Sequence, residues 1–90
     1  MKTYLIGYDL NRPEQDYPGL IAAIKATFSV WWHNLDSTWI VKSNKTAVEI
    51  CNALKLHIDA SDELLVIEVT REAAWIGFKA KSSDWLKNNL

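Results

Sequence analysis

Ninety residues are enough for one domain with one core, and 49% of them are apolar, including five Trp, three Tyr and two Phe. Ten basic and eleven acidic residues give a formal net charge of −1, which argues against coating nucleic acid through bulk positive charge. The lone Cys51 excludes an intrachain disulfide and a cysteine zinc cluster. No leader pattern or bilayer-length apolar run is present, so we expect a cytoplasmic protein with no membrane segment.

The first predicted element is a strand over residues 2–9, in which β-forming residues end in Tyr8 and Asp9. Its side chains alternate between two largely apolar faces until Asp9, which predicts a central strand covered on both sides. A polar turn with Pro13 follows, and Asp16 is typical of a helix N-cap. The carboxyl end of such a strand is a common place for chemistry, so Asp9 is the first candidate.

Apolar residues at helical spacing predict two helices. The first spans 17–28, and the second is capped by Ser43 or Asn44 and continues to about residue 58. Cys51 falls in the apolar stripe of the second helix, so we interpret it as a small buried hydrophobe.

The stretch between the helices is rich in β-branched and aromatic residues. It fits either two strands, near 30–34 and 37–42, or one long strand with a bulge. Beyond the second helix, residues 63–69 predict a strand and 73–78 a short companion strand. Ser82 or Ser83 is the predicted cap of a final helix over 84–90.

The order of these elements predicts a single α+β domain over residues 1–90. It is typical of a ferredoxin-like βαββαβ sandwich with a short C-terminal strand and helix added. Two helices would cover one face of an antiparallel sheet and leave the other open in a monomer. The surplus aromatic residues would then serve a homodimer interface.

Several segments of the chain carry a resemblance to known proteins: Thr3–Asn11 (TYLIGYDLN), Asp16–Tyr17, Trp32–His33, Ser37–Trp39, Asp59, Asp62 and Ala74–Trp75. They resemble the small proteins called SinR-like, which are related to the virulence-associated protein D group and to the small CRISPR-associated endoribonuclease-type subunit of spacer adaptation. The resemblance to the SinR-like group covers nearly the whole chain, and that to the CRISPR-associated subunit is looser.

The resemblance implies a ferredoxin-like fold and a twofold dimer formed through the sheets. In the CRISPR-associated and virulence-associated groups, the aspartate that ends the first strand lies near the dimer axis and is implicated in metal-dependent cleavage of RNA or DNA. Asp9 matches that position. This chain departs from the CRISPR-associated group in its short length, near-neutral charge and extra tryptophans.

Metal-dependent cleavage of this kind predicts a metal-binding catalytic site at the end of the first strand. Phosphodiester cleavage uses a hard cation, so Mg²⁺ or Mn²⁺ would be held by the Asp9 carboxylate and the Asn11 carbonyl oxygen. Tyr8 and Ser37 are the further catalytic candidates, because their hydroxyls are suited to contact phosphate. The structural alternative is that Asp9 only ends the strand and hydrogen-bonds the turn at 10–13.

Other acidic and histidine residues are interpreted as structural. Asp59, Asp62 and Glu63 lack the glycine and alternating ligands of a calcium loop, which favours a capped turn. His33 and His57 lie in different elements and lack zinc-ligand spacing.

Nucleic acid would be bound by Lys42, Lys45 and Trp39, which place two cations beside a stacking ring. The alternatives are that the lysines are ordinary surface and that the tryptophan is buried. The second functional hypothesis is a non-catalytic dimeric adaptor that bridges nucleic acid or protein partners.

Overall fold

The computed structural model describes residues 1–11 and 17–90, so the turn with Pro13 and the N-cap predicted at Asp16 lie outside the described residues. Within those ranges, no helix is long and apolar enough to cross a membrane. The elements are β1 (Lys2–Asp9), α1 (Tyr17–Thr27), β2 (Val30–Leu35), β3 (Thr38–Ser43), α2 (Ala47–Leu54), a 3₁₀ turn (Lys55–His57), β4 (Glu63–Glu68) and α3 (Ala80–Asn89).

Over the described residues, the protein is an α+β domain with one four-stranded antiparallel sheet and three helices. The strand order is β2-β3-β1-β4, so β1 is central and β2 and β4 are the edge strands. The aromatic stretch between the first two helices, predicted as either two strands or one bulged strand, forms the β2–β3 hairpin. Its register is irregular between Trp32 and Leu35. This irregularity accommodates a local bulge within the hairpin.

The core lies between α1, α2 and one face of the sheet. Alternate side chains of β1 and β3 point to this face, and Tyr4, Ile6 and Trp39 are almost completely buried there. The Tyr4 hydroxyl donates to the Lys45 carbonyl oxygen at 2.7 Å, so its polar end is satisfied at the start of α2. The other buried core residues are Leu20, Ile24, Phe28, Val41, Ile50 and Leu54.

The opposite face, which we call the outer face, is covered over only half of its width. On the β2 and β3 half, the ring of Trp32 packs on Phe78 with centroids 5.4 Å apart, and Leu86 of α3 is buried. On the β4 half, Leu65 and Ile67 remain 55% and 49% exposed. The prediction that β1 is covered on both sides therefore holds for the helix face and only in part for the outer face.

The segment 73–78 is not the predicted companion strand. It forms no ladder with β4 and instead runs as irregular chain along the outer face. Gly77 then adopts a φ of +85°, a left-handed conformation that favours glycine and turns the chain into α3. The helix begins at Ala80, earlier than predicted, and the hydroxyls of Ser82 and Ser83 bond Asn34 and Trp75 instead of capping it.

The start of α2 also differs from the prediction. Thr46, and neither Ser43 nor Asn44, is the N-cap, and it forms a reciprocal capping box with Glu49. The N–H of Thr46 donates to the Glu49 carboxylate and lowers the pKa of that carboxyl below its ordinary value of 4.5.

The end of α2 and the burial of Cys51 also differ from the prediction. The helix ends at Leu54 in a 3₁₀ turn, short of residue 58, and Cys51 is only half-buried.

Replacing the true cap tests this helix start. Thr46→Ala removes the oxygen that accepts the Glu49 N–H, so the free energy of unfolding should fall by about 1 kcal/mol. Asn44→Ala is the matched control, because Asn44 is exposed and should change stability by less than about 0.5 kcal/mol. Urea unfolding of both variants measures the difference, and equal stability would contradict the assignment of the cap.

Candidate active site

The carboxyl end of β1 lies between the beginnings of its two neighbouring strands. On one side, the Tyr8 N–H donates to the Ser37 carbonyl oxygen at 3.1 Å, next to the start of β3. On the other side, Asp9 is the ladder partner of Glu63, the first residue of β4. The structure therefore brings Tyr8, Asp9 and Ser37 to one end of the sheet and adds Glu63.

Asp9 and Glu63 form a pair of exposed carboxylates. Directly opposed residues of an antiparallel ladder share one face, with Cβ atoms about 5 Å apart. Both side chains therefore point to the outer face. Strand alternation places Leu5 and Gly7 on the same face of β1.

A shallow depression of about 330 Å³ lies at this carboxylate pair. Gly7 contributes no side chain to it, and among the described residues a Cβ added there would meet Leu5 alone, at 3.5 Å. The described part of the chain therefore leaves the approach to the carboxylates open on this side. We call the depression the β1–β4 notch; its lining residues are Gly7, Tyr8, Asp9, Glu63, Leu64 and Leu65.

The Tyr8 hydroxyl does not converge with the Asp9 carboxylate. Successive strand residues point to opposite faces, and the Tyr8 ring lies on the helix side. There its hydroxyl accepts the Trp39 Nε1–H at 3.0 Å and contacts the Asp36 carbonyl oxygen at 3.5 Å. The sequence prediction grouped Tyr8 with Asp9 as catalytic, whereas the geometry gives Tyr8 a structural contact.

Asn11 is held by the turn that precedes β4. Its backbone N–H donates to Asp62 Oδ1 at 2.8 Å, and its side-chain Nδ2 donates to the Ser61 carbonyl oxygen at 2.6 Å. The other Asp62 oxygen accepts the Asp59 N–H at 2.8 Å, which confirms the prediction of a capped turn. These bonds fix the segment after Asp9 against the start of β4. The alternative in which Asp9 bonds the turn at 10–13 involves residues outside the described ranges.

The donor set at the notch suits a hard cation that keeps most of its water. Among the described residues there is no group of three or more His, Cys, Asp or Glu side chains placed to hold a metal ion. Mg²⁺, however, is commonly bound through one or two carboxylates together with substrate phosphate and water. Asp9 and Glu63 fit that mode. The sequence analysis grouped Glu63 with Asp59 and Asp62 in a capped turn, because its pairing with Asp9 depends on the register between β1 and β4.

The predicted nucleic-acid residues do not form one surface. Lys42 Nζ donates to the Asn89 carbonyl oxygen at 2.6 Å, so this ammonium stabilises the last turn of α3. Lys45 is exposed in the loop before α2. Trp39 has 0% exposure, so its ring offers no face for base stacking, and the burial alternative is correct for this residue.

Comparisons with protein-family models, curated proteins and solved structures found no match to this chain.

The Tyr8–Trp39 hydrogen bond predicts a stability effect. Tyr8→Phe leaves the indole N–H of a fully buried tryptophan without its acceptor, so unfolding should become easier by about 1–3 kcal/mol. Ser37→Ala is a suitable control, because Ser37 is exposed and its described contact uses the backbone carbonyl. Thermal and urea unfolding measure both variants, and a neutral Tyr8→Phe would contradict the structural role of this hydroxyl.

Proposed function

We propose that this chain is a divalent-metal-dependent endonuclease of RNA or DNA, with Asp9 and Glu63 as the residues that hold Mg²⁺ or Mn²⁺. The observation that carries the proposal is the opposition of two exposed carboxylates at the end of the central strand. The resemblance to the SinR-like, CRISPR-associated and virulence-associated groups supports it, since Asp9 matches the aspartate implicated there. Glu63 supplies the second acidic group that the sequence pattern lacked.

The fold assigned in this proposal is the ferredoxin-like βαββαβ sandwich, with α3 added at the C-terminus. Its support is the antiparallel strand order β2-β3-β1-β4, together with α1 and α2 packed on one face of the sheet. In this arrangement β1 is central, and its carboxyl end reaches solvent beside the start of β4.

The carboxylate pair carries an electrostatic conflict that a cation would relieve. Like charges directly opposed across a ladder destabilise the sheet, and none of the described residues that line the notch is a lysine or an arginine. Positions where local rules are broken without a compensating contact are often functional sites. The exposed position of the pair lets solvent and a phosphodiester reach it.

In the proposed reaction, the chain positions a phosphodiester at the β1–β4 notch. When bound, Mg²⁺ or Mn²⁺ would offset the charge that develops on phosphate and would activate water. Asp9 and Glu63 hold the cation, while the bare backbone at Gly7 leaves room for the phosphate to approach. Ser37 lies at the same end of the sheet, where its hydroxyl is the remaining candidate for a phosphate contact.

The proposal includes a homodimer formed through the uncovered half of the outer face. Leu65 and Ile67 are exposed there, on the same strand and the same face as Glu63. A second copy that buries these side chains would place two carboxylate pairs near the twofold axis. With one free cysteine, the chain also suits the reducing cytoplasm, which we include in the proposal.

The second candidate function is the non-catalytic dimeric adaptor. It is favoured by the same exposed apolar half-face, which would serve a dimer or a protein partner without any cleavage.

Substitution of the carboxylates tests the proposed activity. Asp9→Asn and Glu63→Gln should each lower cleavage about 100-fold or more, because even residues that only orient metal ligands contribute about 10–100-fold. Labelled RNA and DNA are incubated with Mg²⁺ or Mn²⁺, and products are resolved on gels. The control is Glu68→Gln, since Glu68 is exposed on the same strand but faces the other side. Equal cleavage by all four proteins would falsify the site, and binding without cleavage would favour the adaptor.

The dimer interface makes a separate prediction. Leu65→Lys places a charge in the apolar half-face, so a dimeric wild type should become monomeric. Leu56→Lys is the matched control, because Leu56 is 78% exposed on the 3₁₀ turn, away from the outer face. Light scattering after gel filtration measures the mass, and a dimer that tolerates Leu65→Lys would contradict this interface.

A further inference from the structure

A second recess lies where the first turn of α3 meets the edge strand β2. Its volume of about 370 Å³ falls within the range of about 300–1,000 Å³ that is usual for small-molecule sites. Side chains from both elements form its walls. We call it the β2–α3 recess; its lining residues are Trp31, Trp32, His33, Lys81, Ser82 and Trp85.

Hydrogen bonds hold the two walls of the recess together. The buried Trp32 donates from Nε1 to the Ser82 carbonyl oxygen at 3.2 Å, and the Ser82 hydroxyl donates to Asn34 Oδ1 at 3.0 Å. Trp32 also packs on Phe78, which precedes α3. The recess is thus formed before any ligand arrives, which lowers the ordering cost of binding.

The rings in the recess are supported from the core side. His33 stacks on the buried Trp39 with centroids 3.8 Å apart and planes 9° from parallel. Trp31 packs on the same ring at 5.3 Å and keeps 36% of its own surface exposed. Trp85, on the opposite wall, is half-buried. Rings that are held in place and still partly exposed are suited to stacking a further flat ring.

Cations lie beside these rings. Lys81 is exposed on the α3 wall, and Lys25 Nζ lies 5.2 Å from the centroid of the Trp31 ring. None of the six lining residues is acidic. Asp84 follows one turn after Lys81 on the same helix and is the nearest acidic residue along α3. Aromatic faces with flanking ammonium groups match a ligand that carries both a flat ring and an anionic group.

We propose that the β2–α3 recess binds a nucleotide unit of single-stranded RNA or DNA. The base stacks against Trp31 and Trp85, and Lys81 contacts a flanking phosphate. Single strands are preferred because the base faces of a duplex are already stacked within it. Ser82, the hydroxyl residue of the lining, is engaged with Asn34, so recognition depends on stacking and charge and tolerates different base sequences.

The test is a titration of the full chain with fluorescein-labelled dT12 and U12 in EDTA, read by anisotropy and by tryptophan quenching. Trp85→Leu removes a stacking face and should weaken binding about 5- to 100-fold, whereas Trp85→Phe keeps a ring and most of the affinity. Lys81→Gln should lower the slope of log Kd against log salt by about 0.7, the contribution of one phosphate of a single strand. Asp84→Asn should strengthen binding.

Lys87→Gln is the matched control, because Lys87 is exposed on α3 but does not line the recess. Circular dichroism checks that each variant is folded. If Trp85→Leu is unfolded, the salt dependence of binding by Lys81→Gln decides the outcome. No binding by the wild type at low salt, equal effects of Lys81→Gln and Lys87→Gln, or equally tight binding of duplex DNA would each overturn the proposal. Equal quenching by poly-glutamate would assign the recess to acidic peptides instead. EDTA excludes the cleavage proposed at the β1–β4 notch, so either proposal can fail while the other stands.

Discussion

Trp39 is the residue on which most of the structure depends. Its ring fills the centre of the core, yet its indole N–H must be satisfied away from water. The Tyr8 hydroxyl supplies that acceptor and thereby fixes the end of β1 against β3. His33 and Trp31 of β2 pack against the same ring. One buried side chain therefore orders both the end of the central strand and the aromatic residues of the edge strand.

The last two residues of β1 have different roles, because successive side chains of a strand point to opposite faces of the sheet. Tyr8 turns inward, where its hydrogen bonds hold the hairpin turn and the core together. Asp9 turns outward, where it meets Glu63 and solvent. Because adjacent residues cannot share a face, the rigidity of the site and its exposed charge come from neighbouring positions in the chain. The bonds from Asn11 to the turn before β4 hold the second carboxylate-bearing strand in place.

The sequence pattern was sufficient to predict β1, α1 and β4, because α1 has helical apolar spacing and the two strands are runs of β-forming residues that end in polar residues. It was insufficient for 73–78, whose apolar residues dock on the outer face without pairing as a strand. It was also insufficient for Glu63, since a cross-strand partner depends on a register that neither strand specifies alone. Trp39 shows a further limit of prediction from the sequence. A tryptophan near lysines is compatible both with a base-stacking site and with the hydrophobic core, and here the ring is in the core.

The placement of charge along β4 has a consequence for self-association. Its sequence, Glu63–Glu68, encloses four aliphatic residues on an edge strand, a composition that invites fibril growth by strand addition. If two copies paired antiparallel along this edge with strand centres nearly aligned, each Glu63 would lie next to a Glu68 of the other copy, the two on opposite faces, and both ends of the paired segment would carry two negative charges. The terminal glutamates thus act as gatekeepers against aggregation through the edge, while the aliphatic side chains between them stay available on the face of the sheet.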